Sequence, residues 1–312
     1  MADRVASLWD SVRWDRGKPF GGDEETNRDY EAYSELAREN DVEFFVANYR
    51  WYSDGVLDQA WHFDGERWEK LEDVEINGVY DKFKFDDETR EIKKRMLEEV
   101  PVLNHYGLER VCKDKYLTYQ KFKEYIPETR KAPDEDIVEI IEKYGKAVLK
   151  PRYDYGGKGI KVIESLEEAE KIDYSEDYIV QAFVDSSSGI SELDIEGLHD
   201  LRAVIVNDEI AVAYVRQPSE GYLSNQHLGG TVTYVEPEEY PEKARHILEA
   251  VSQEFEEYDP RLYTVDLIFD KNGEPWILEL NSKPGIGYAR EQEKREYEYP
   301  AMKKVVQAWK NL

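Results

Sequence analysis

The chain has 312 residues, and its 69 Asp and Glu outnumber 42 Lys and Arg to give a formal net charge of −27. That length suggests about two domains with a sizeable core, and 13% aromatic residues mark a folded rather than a disordered chain. A chain this acidic repels a phosphate backbone, which argues against general nucleic-acid binding; the plain reading of the charge is a solvated acidic surface, and the acid excess resembles that of halophilic proteins, from salt-loving organisms.

No run of ~18 apolar residues is present to cross a membrane. The first residues, MADRVASLWDSVRWDRG, lack the apolar core of a signal peptide, so a cytoplasmic setting is expected. A single cysteine, Cys112, excludes an internal disulfide and cysteine-based metal sites.

In chain order, Tyr30, Tyr33, Leu36 and Ala37 recur at helical spacing within residues 24–40. VEFFVAN (42–48) suits a buried strand, so helix and strand form a fragment of an α/β layer. Residues 56–70 read as a hairpin turning at Asp64-Gly65. Residues 87–98 and 114–125 read as helices, the second ending before Pro127. A helix over 134–144 leads to a strand, AVLK (147–150), then a glycine cluster and a return strand over 160–165. YIVQAFV (178–184) is a further strand, and 201–217 holds two strands around Asn207-Asp208. An amphipathic helix over 241–257, a hairpin over 262–282 around Asn272-Gly273 and a polar helix over 290–311 complete the chain.

Four groups of residues could carry chemistry. Lys150 ends a strand and is followed by Gly156-Gly157-Lys158-Gly159, a loop whose backbone N–H groups could turn toward phosphate oxygens while the lysine supplies a point charge. The loop also fits an ordinary loose hairpin turn, and it lacks Walker A spacing. Asp266 stands on one strand of the last hairpin, and Glu279 and Asn281, two apart, share a face of the next. Two carboxylates and an amide oxygen make a site for a hard cation such as Mg²⁺, or else a polar stripe on a half-exposed hairpin. Arg202 and Arg216 could point into one cleft and bind an anion, or each could be a surface ion pair. Gln181-Ala182-Phe183-Val184 ends a strand whose backbone could pair with the edge of a base. The five histidines, at 62, 105, 199, 227 and 246, suggest no metal cluster; for His227 a loop hydrogen bond is the simplest role.

Taken in order, the lysine strand, glycine loop, Q-A-F-V, D-x-R, R-Q-P, N-x-x-x-G-G and V-D…E-L-N-S-x-P-G resemble the ATP-grasp superfamily. The branch they are most similar to contains ribosomal protein S6 modification ligases, prokaryotic glutathione synthetases and spore-coat-associated ATP-grasp proteins. The resemblance covers about residues 101–290. It implies an α+β fold in which two α+β subdomains (111–184 and 185–312) grip ATP, preceded by an N-terminal α/β domain over 1–110. By the same resemblance, Lys115 and Lys150 are nucleotide lysines, Gly156, Gly157, Lys158 and Gly159 form a phosphate lid, and Gln181, Ala182, Phe183 and Val184 contact adenine. Asn225 belongs to the nucleotide set, Asp266, Glu279 and Asn281 hold two Mg²⁺ ions (Mn²⁺ being an alternative), and Arg202 and Arg216 hold an acyl phosphate.

The implied activity is ATP-dependent carboxylate–amine ligation on an amino acid or small peptide, releasing ADP and phosphate. A kinase acting on a small molecule and a non-catalytic ATP-binding module remain the alternatives. Alanine at Asp266 or Glu279 is expected to end turnover with the fold intact. The oligomeric state is open, a homodimer included. Leu223 stands where this branch often has an arginine, residues 185–199 are longer than usual and could add a flap, and Trp9, Trp14, Trp51, Trp61 and Trp68 stud an N-terminal region of unassigned role.

Overall fold

A computed structural model describes residues 3–132, 135–154, 157, 159–169, 171, 177–219, 221, 230–288 and 292–312. Three sheets organise it. The first contains β1 (Asp3–Trp9), β2 (Val42–Asn48), β3 (Tyr52–Ser53), β4 (Val56–Phe63), β5 (Trp68–Glu75), β6 (Gly78–Asp81) and β7 (Val102–Leu103). Its order is β3-β4-β2-β1-β6-β7, with β5 paired to β4, and β1 runs parallel to both β2 and β6. The second contains β8 (Thr129–Lys131), β9 (Ala147–Pro151), β10 (Lys161–Ile163) and β11 (Tyr178–Ala182), in the order β10-β9-β11-β8. The third contains β12 (Asp200–Val206), β13 (Glu209–Gln217), β14 (Thr231–Val235), β15 (Leu262–Phe269) and β16 (Pro275–Asn281), in the order β14-β13-β12-β15-β16.

Helix α1 (Glu24–Glu39) begins where Asp23 accepts the Thr26 N–H at 3.1 Å, with Glu24 and Glu25 in its first turn, the charge a helix N-terminus favours. Its buried face is Tyr30, Tyr33, Leu36 and Ala37, as the spacing predicts. Next come α2 (Arg90–Glu99), α3 (Tyr106–Lys113), α4 (Lys115–Lys121), α5 (Glu135–Tyr144), the short α6 (Leu166–Ala169), α7 (Glu242–Phe255) and α8 (Gln292–Trp309). Asp114 caps α4, accepting from the Tyr116 and Leu117 N–H groups at 3.1 and 3.2 Å.

The C-terminal helix differs from its polar reading. Ala301, Met302, Val305, Val306 and Trp309 are fully buried, and Trp309 stacks on Phe44 with ring centroids 4.5 Å apart. These residues form a narrow stripe on an otherwise polar helix, so the average hides it. The stripe joins α1 and the first sheet to Val204, Val206, Val212 and Leu262 of the third sheet in one apolar cluster. The chain's end thereby ties its beginning to the cleft-bearing sheet. Each such side chain withdrawn from water stabilises the fold by about 1.5–3 kcal/mol.

Three of the five tryptophans of the N-terminal region pack together, while Trp9 lies against Phe20 and Tyr30 and Trp68 against Phe63. Trp14 lies against Trp51 and Trp61 at 5.8 and 5.7 Å, with the Lys70 ammonium over Trp14 and Trp61. The 185–199 segment is closed by a bridge between Ile190 and Ile195, and Ile190 is buried. At its end, His199 accepts the Phe269 N–H through Nε2 at 3.1 Å, which pins the segment to β15.

Candidate functional site

A cleft of 1010 Å³ opens where the three sheets meet, at the upper end of the size usual for a ligand pocket. Its walls are the ends of β1 and β6, the α3–α4 junction, strands β9 and β11, and the open face of β12, β13, β15 and β16. Lys115, Lys150, Gly157, Gln181, Ala182, Phe183, Val184, Arg202, Arg216, Asp266, Glu279 and Asn281, scattered over 167 positions of sequence, all line it. Gly156, Lys158 and Asn225 lie outside the described residues, as do Leu223 and His227.

The third sheet brings the charges together by register. Arg202 pairs across strands with Asp266, Asp266 with Glu279, and Asp200 with Arg216. Between Asp266 and Leu267 the β15–β16 register shifts, leaving Leu278 as the extra residue of a bulge. The Leu278 carbonyl is thereby presented to the Lys150 ammonium at 3.5 Å. Beyond the bulge, Leu280 faces the core while Glu279 and Asn281 face the cleft.

Asp266 is the hub. Its carboxylate accepts from Arg202 Nε at 2.7 Å and Nη2 at 2.5 Å, and from Arg216 Nη2 at 3.1 Å. Arg216 Nε donates in turn to Asp200 at 2.7 Å. Burial alone would raise the Asp266 carboxyl's pKa, but the two guanidinium groups outweigh it and hold the group below the usual carboxylate range. The arginines are therefore not independent surface pairs: they form one buried network with Asp266.

The opposite wall is built around Lys150, which is 4% exposed. Its ammonium donates to Gln181 Oε1 at 2.7 Å, and Gln181 Nε2 donates to Thr129 Oγ1 at 2.9 Å. The Gln181 side chain thus orients the lysine, and just past it the Ala182 and Phe183 N–H groups donate to the Glu128 and Lys146 carbonyls at 2.8 and 3.4 Å. Burial pushes the Lys150 ammonium down to about 8. Lys115, the first residue of α4, pairs with Glu279 at 3.3 Å and donates to the Asp154 carbonyl at the start of the glycine loop. Arg152 grips the Asp114 carboxylate with two hydrogen bonds of 2.6 Å, so the loop's first residues are anchored to the helix start. Gly159 has φ of +72°, and a Cβ there would stand 2.8 Å from the Pro151 ring, so both conformation and space require glycine.

The donor set suits a hard dication: two carboxylates on paired strands and an amide oxygen one step further. Among the described residues no group of three or more His, Cys, Asp or Glu side chains is gathered for a metal. The oxygens available are those of Glu279, Asn281 and the arginine-bound Asp266.

The sequence reading missed the N-terminal wall. Asp10, Lys82 and Phe83 line the cleft from the carboxyl ends of the parallel strands β1 and β6, where open parallel sheets present ligands. Beside them Asp81, Lys93, Glu109 and Lys283 form a charged tetrad in which Asp81, Lys93 and Glu109 are buried and Lys283 is half-buried, with Glu109 and Lys283 reaching the cleft wall. The signal available in sequence was the strand end at Asp81-Lys82, but a four-residue strand is too short to read.

Residues 112–286, more than half of the chain, match the family model for the ATP-grasp domain. Over 228 residues the chain is 30% identical to the tetrahydromethanopterin:alpha-L-glutamate ligase of Methanocaldococcus jannaschii, spanning 68% of this chain and 70% of that one. Among solved structures, the RimK domain protein ATP-grasp of Sphaerobacter thermophilus has a TM-score of 0.60 at 16% identity, covering 97% of this chain and 98% of that one. The RiPP-associated ATP-grasp ligase of Chryseobacterium gregarium has a TM-score of 0.63 at 15% identity, covering 99% and 97%. At such identities the structures speak for the fold, while the family match spans most of the cleft wall: the chain belongs to the ATP-grasp ligase family.

Proposed function

We propose that this protein joins a carboxylate to an amine at the expense of ATP, through an acyl phosphate, releasing ADP and phosphate. The observation that carries this reading is the facing of two charged walls. The Arg202–Asp266–Arg216 network and Glu279 stand on one side of the cleft, and buried Lys150 stands on the other. Phosphoryl transfer asks for such alignment and charge neutralisation more than for covalent help from side chains.

In this reading the polyphosphate lies between Lys115 and Lys150, and the resemblance assigns Gly156, Gly157, Lys158, Gly159 and Asn225 to the nucleotide as well. The adenine sits at the strand end, Gln181 to Val184. Glu279, Asn281 and Asp266 would hold two Mg²⁺ ions, which would supply charge neutralisation for the phosphates. Arg202 and Arg216 hold the acyl phosphate once the phosphoryl group has passed to the carboxylate. The carboxylate oxygen forms a bond to the γ-phosphorus as the bond to ADP breaks. The amine nitrogen then bonds to the acyl carbon as phosphate leaves, and the amine gives up a proton. Closure of the glycine loop excludes the water that would hydrolyse the acyl phosphate.

The division into residues 1–110, 111–184 and 185–312 is the domain organisation that goes with this reading. The glutamate ligase named above supports an amino acid or small peptide among the substrates. A cytoplasmic, salt-adapted enzyme is the setting; among the described residues no helix is long and apolar enough to cross a membrane. The test is oxygen transfer: with a carboxylate substrate labelled in oxygen-18, the label appears in the released phosphate. Phosphate free of label would refute the acyl-phosphate route.

A further inference from the structure

The cleft wall carries, among the described residues, eight Lys or Arg side chains against five Asp or Glu, in a chain whose net charge is −27. Most of these cations have carboxylate partners. Lys84 is matched by Asp86 and Glu88, Lys283 by Asp81 and Glu109, and the two arginines by Asp200 and Asp266.

Lys82 stands apart. Its ammonium donates to the Pro284 carbonyl at 3.0 Å and lies 5.6 Å from the Trp9 ring and 5.3 Å from the Tyr80 ring. No carboxylate among the described residues pairs with it. Asp81, whose charge it feels, is committed to Lys93 and Lys283. Burial, and then repulsion from Lys283, push its ammonium down to about 8. Lys150, more deeply buried than the half-buried Lys82, is likewise bonded to a neutral oxygen and lowered to about 8, with the Glu279 charge acting against the burial. A withdrawn ammonium without a counter-charge is unfavourable, and an incoming anion relieves it.

Position separates the two lysines. Lys150 faces the Asp266–Glu279 strands, where phosphoryl transfer is placed. Lys82 belongs to the first sheet: its backbone N–H donates to the Leu8 carbonyl at 3.0 Å, holding it at the carboxyl end of the parallel pair β1–β6. Its contact, Pro284, lies three residues beyond Asn281, a reach of up to about 10 Å along the chain. A group bound at Lys82 is therefore displaced along the cleft from the Asp266–Glu279 strands, by a distance that this reach bounds from above and that the length series of diacids can match.

We propose that Lys82 is a specificity-determining residue that holds a second anionic group of the acid substrate, so that the acid is of the dicarboxylate class. The word substrate here rests on the ligase reading; the subsite does not.

The test loads the full-length protein with Mg²⁺ and a non-hydrolysable ATP analogue. Malonate, succinate, glutarate and adipate are then titrated calorimetrically, each against its half-amide. At least one diacid should bind about 10-fold or more tightly than its half-amide, the scale of a charge-assisted hydrogen bond. Lys82→Gln, which keeps a donor for the Pro284 carbonyl, should reduce that preference below about threefold, and Lys82→Arg should retain it. Absence of discrimination by the wild type, or its survival in Lys82→Gln, would overturn the proposal. If Lys82→Gln does not fold, protection of Lys82 from reductive methylation, read by peptide mass, decides instead. Protection by the diacid and not by its half-amide supports the subsite, and equal labelling removes it. ADP release from ATP is read in parallel. Lys82-dependent diacid binding without ADP would keep the subsite and remove the ligase, while ADP release without diacid preference would do the reverse.

Discussion

Replacing Asp266 by Asn should cost both turnover and stability, whereas Glu279→Gln should cost turnover alone. Asp266 is 1% exposed and accepts three hydrogen bonds from two guanidinium groups. Removing one member of a buried pair costs about 3–5 kcal/mol, because the partner's charge stays behind. Here the lower end applies: Arg216 keeps Asp200 at 2.7 Å, and Arg202 can turn its part-exposed end toward water. Glu279 has one ion pair, to Lys115 at 3.3 Å, and is 22% exposed, which is worth about 0–1 kcal/mol.

Urea unfolding and ADP release on the same preparations measure both quantities. Asp266→Asn should lose about 3 kcal/mol, and adding Arg202→Met should return only a fraction of that without restoring activity, since the half-buried Arg202 can already reach water. Unfolding of Asp266→Asn within about 0.5 kcal/mol of the wild type, or an equal loss in Glu279→Gln, would refute the argument. For Asp266 the buried arginine network thus adds a stability cost to the expectation that either carboxylate can be removed singly with the fold intact.

Gln181→Leu should raise the KM for ATP and destabilise the protein by about 1–3 kcal/mol, since Lys150 and Thr129 both lose their buried partner; a wild-type KM in that variant would remove the orienting role. A pH effect should accompany Lys82. Its folded value of about 8 lies below its ordinary 10.5, so the unfolded chain binds more protons between those values. The penalty of its charge is full below pH 8 and is relieved as pH rises toward 10. The melting-temperature advantage of Lys82→Gln over the wild type should therefore be larger at pH 7 than at pH 10, and an advantage independent of pH would contradict the burial of that charge. With a net charge of −27 on the chain, melting temperature should climb from dilute buffer to molar KCl as self-repulsion is screened, and a flat response would count against a self-repelling surface.

What the sequence could reveal tracked the length and periodicity of each element. VEFFVAN and YTVDLIF are long apolar runs, and their strands lie where the pattern puts them. Counting outward from Asn272-Gly273 puts Asp266 opposite Glu279, and the structure reaches that pairing through the bulge: the pairs next to the turn, Phe269 with Pro275 to Leu267 with Ile277, would set Asp266 against Leu278 without it. Strand β1 escaped because DRVASLW opens on charge, and β6 because four residues show no period. Helix α8 was seen, but its burial was not, because its apolar stripe is diluted by Lys303, Lys304 and Gln307.

At the site, motif order collected the lysines, arginines and carboxylates of the last two sheets. The sequence points to the backbone of residues 181–184 as a ligand edge and says nothing of the Gln181 side chain, which holds Lys150. The Lys82 wall was invisible because its meaning depends on contacts between residues 202 positions apart, such as Lys82 with Pro284.

The most direct test of the central claim is a mass spectrum of the protein incubated with Mg-ATP, pooled amino acids, short peptides and dicarboxylic acids, at low and molar KCl. The account predicts ADP and phosphate that depend on the pool, together with a product one water lighter than the sum of an acid and an amine. AMP and pyrophosphate, or ADP formed with a phosphorylated alcohol and no condensed product, would contradict it.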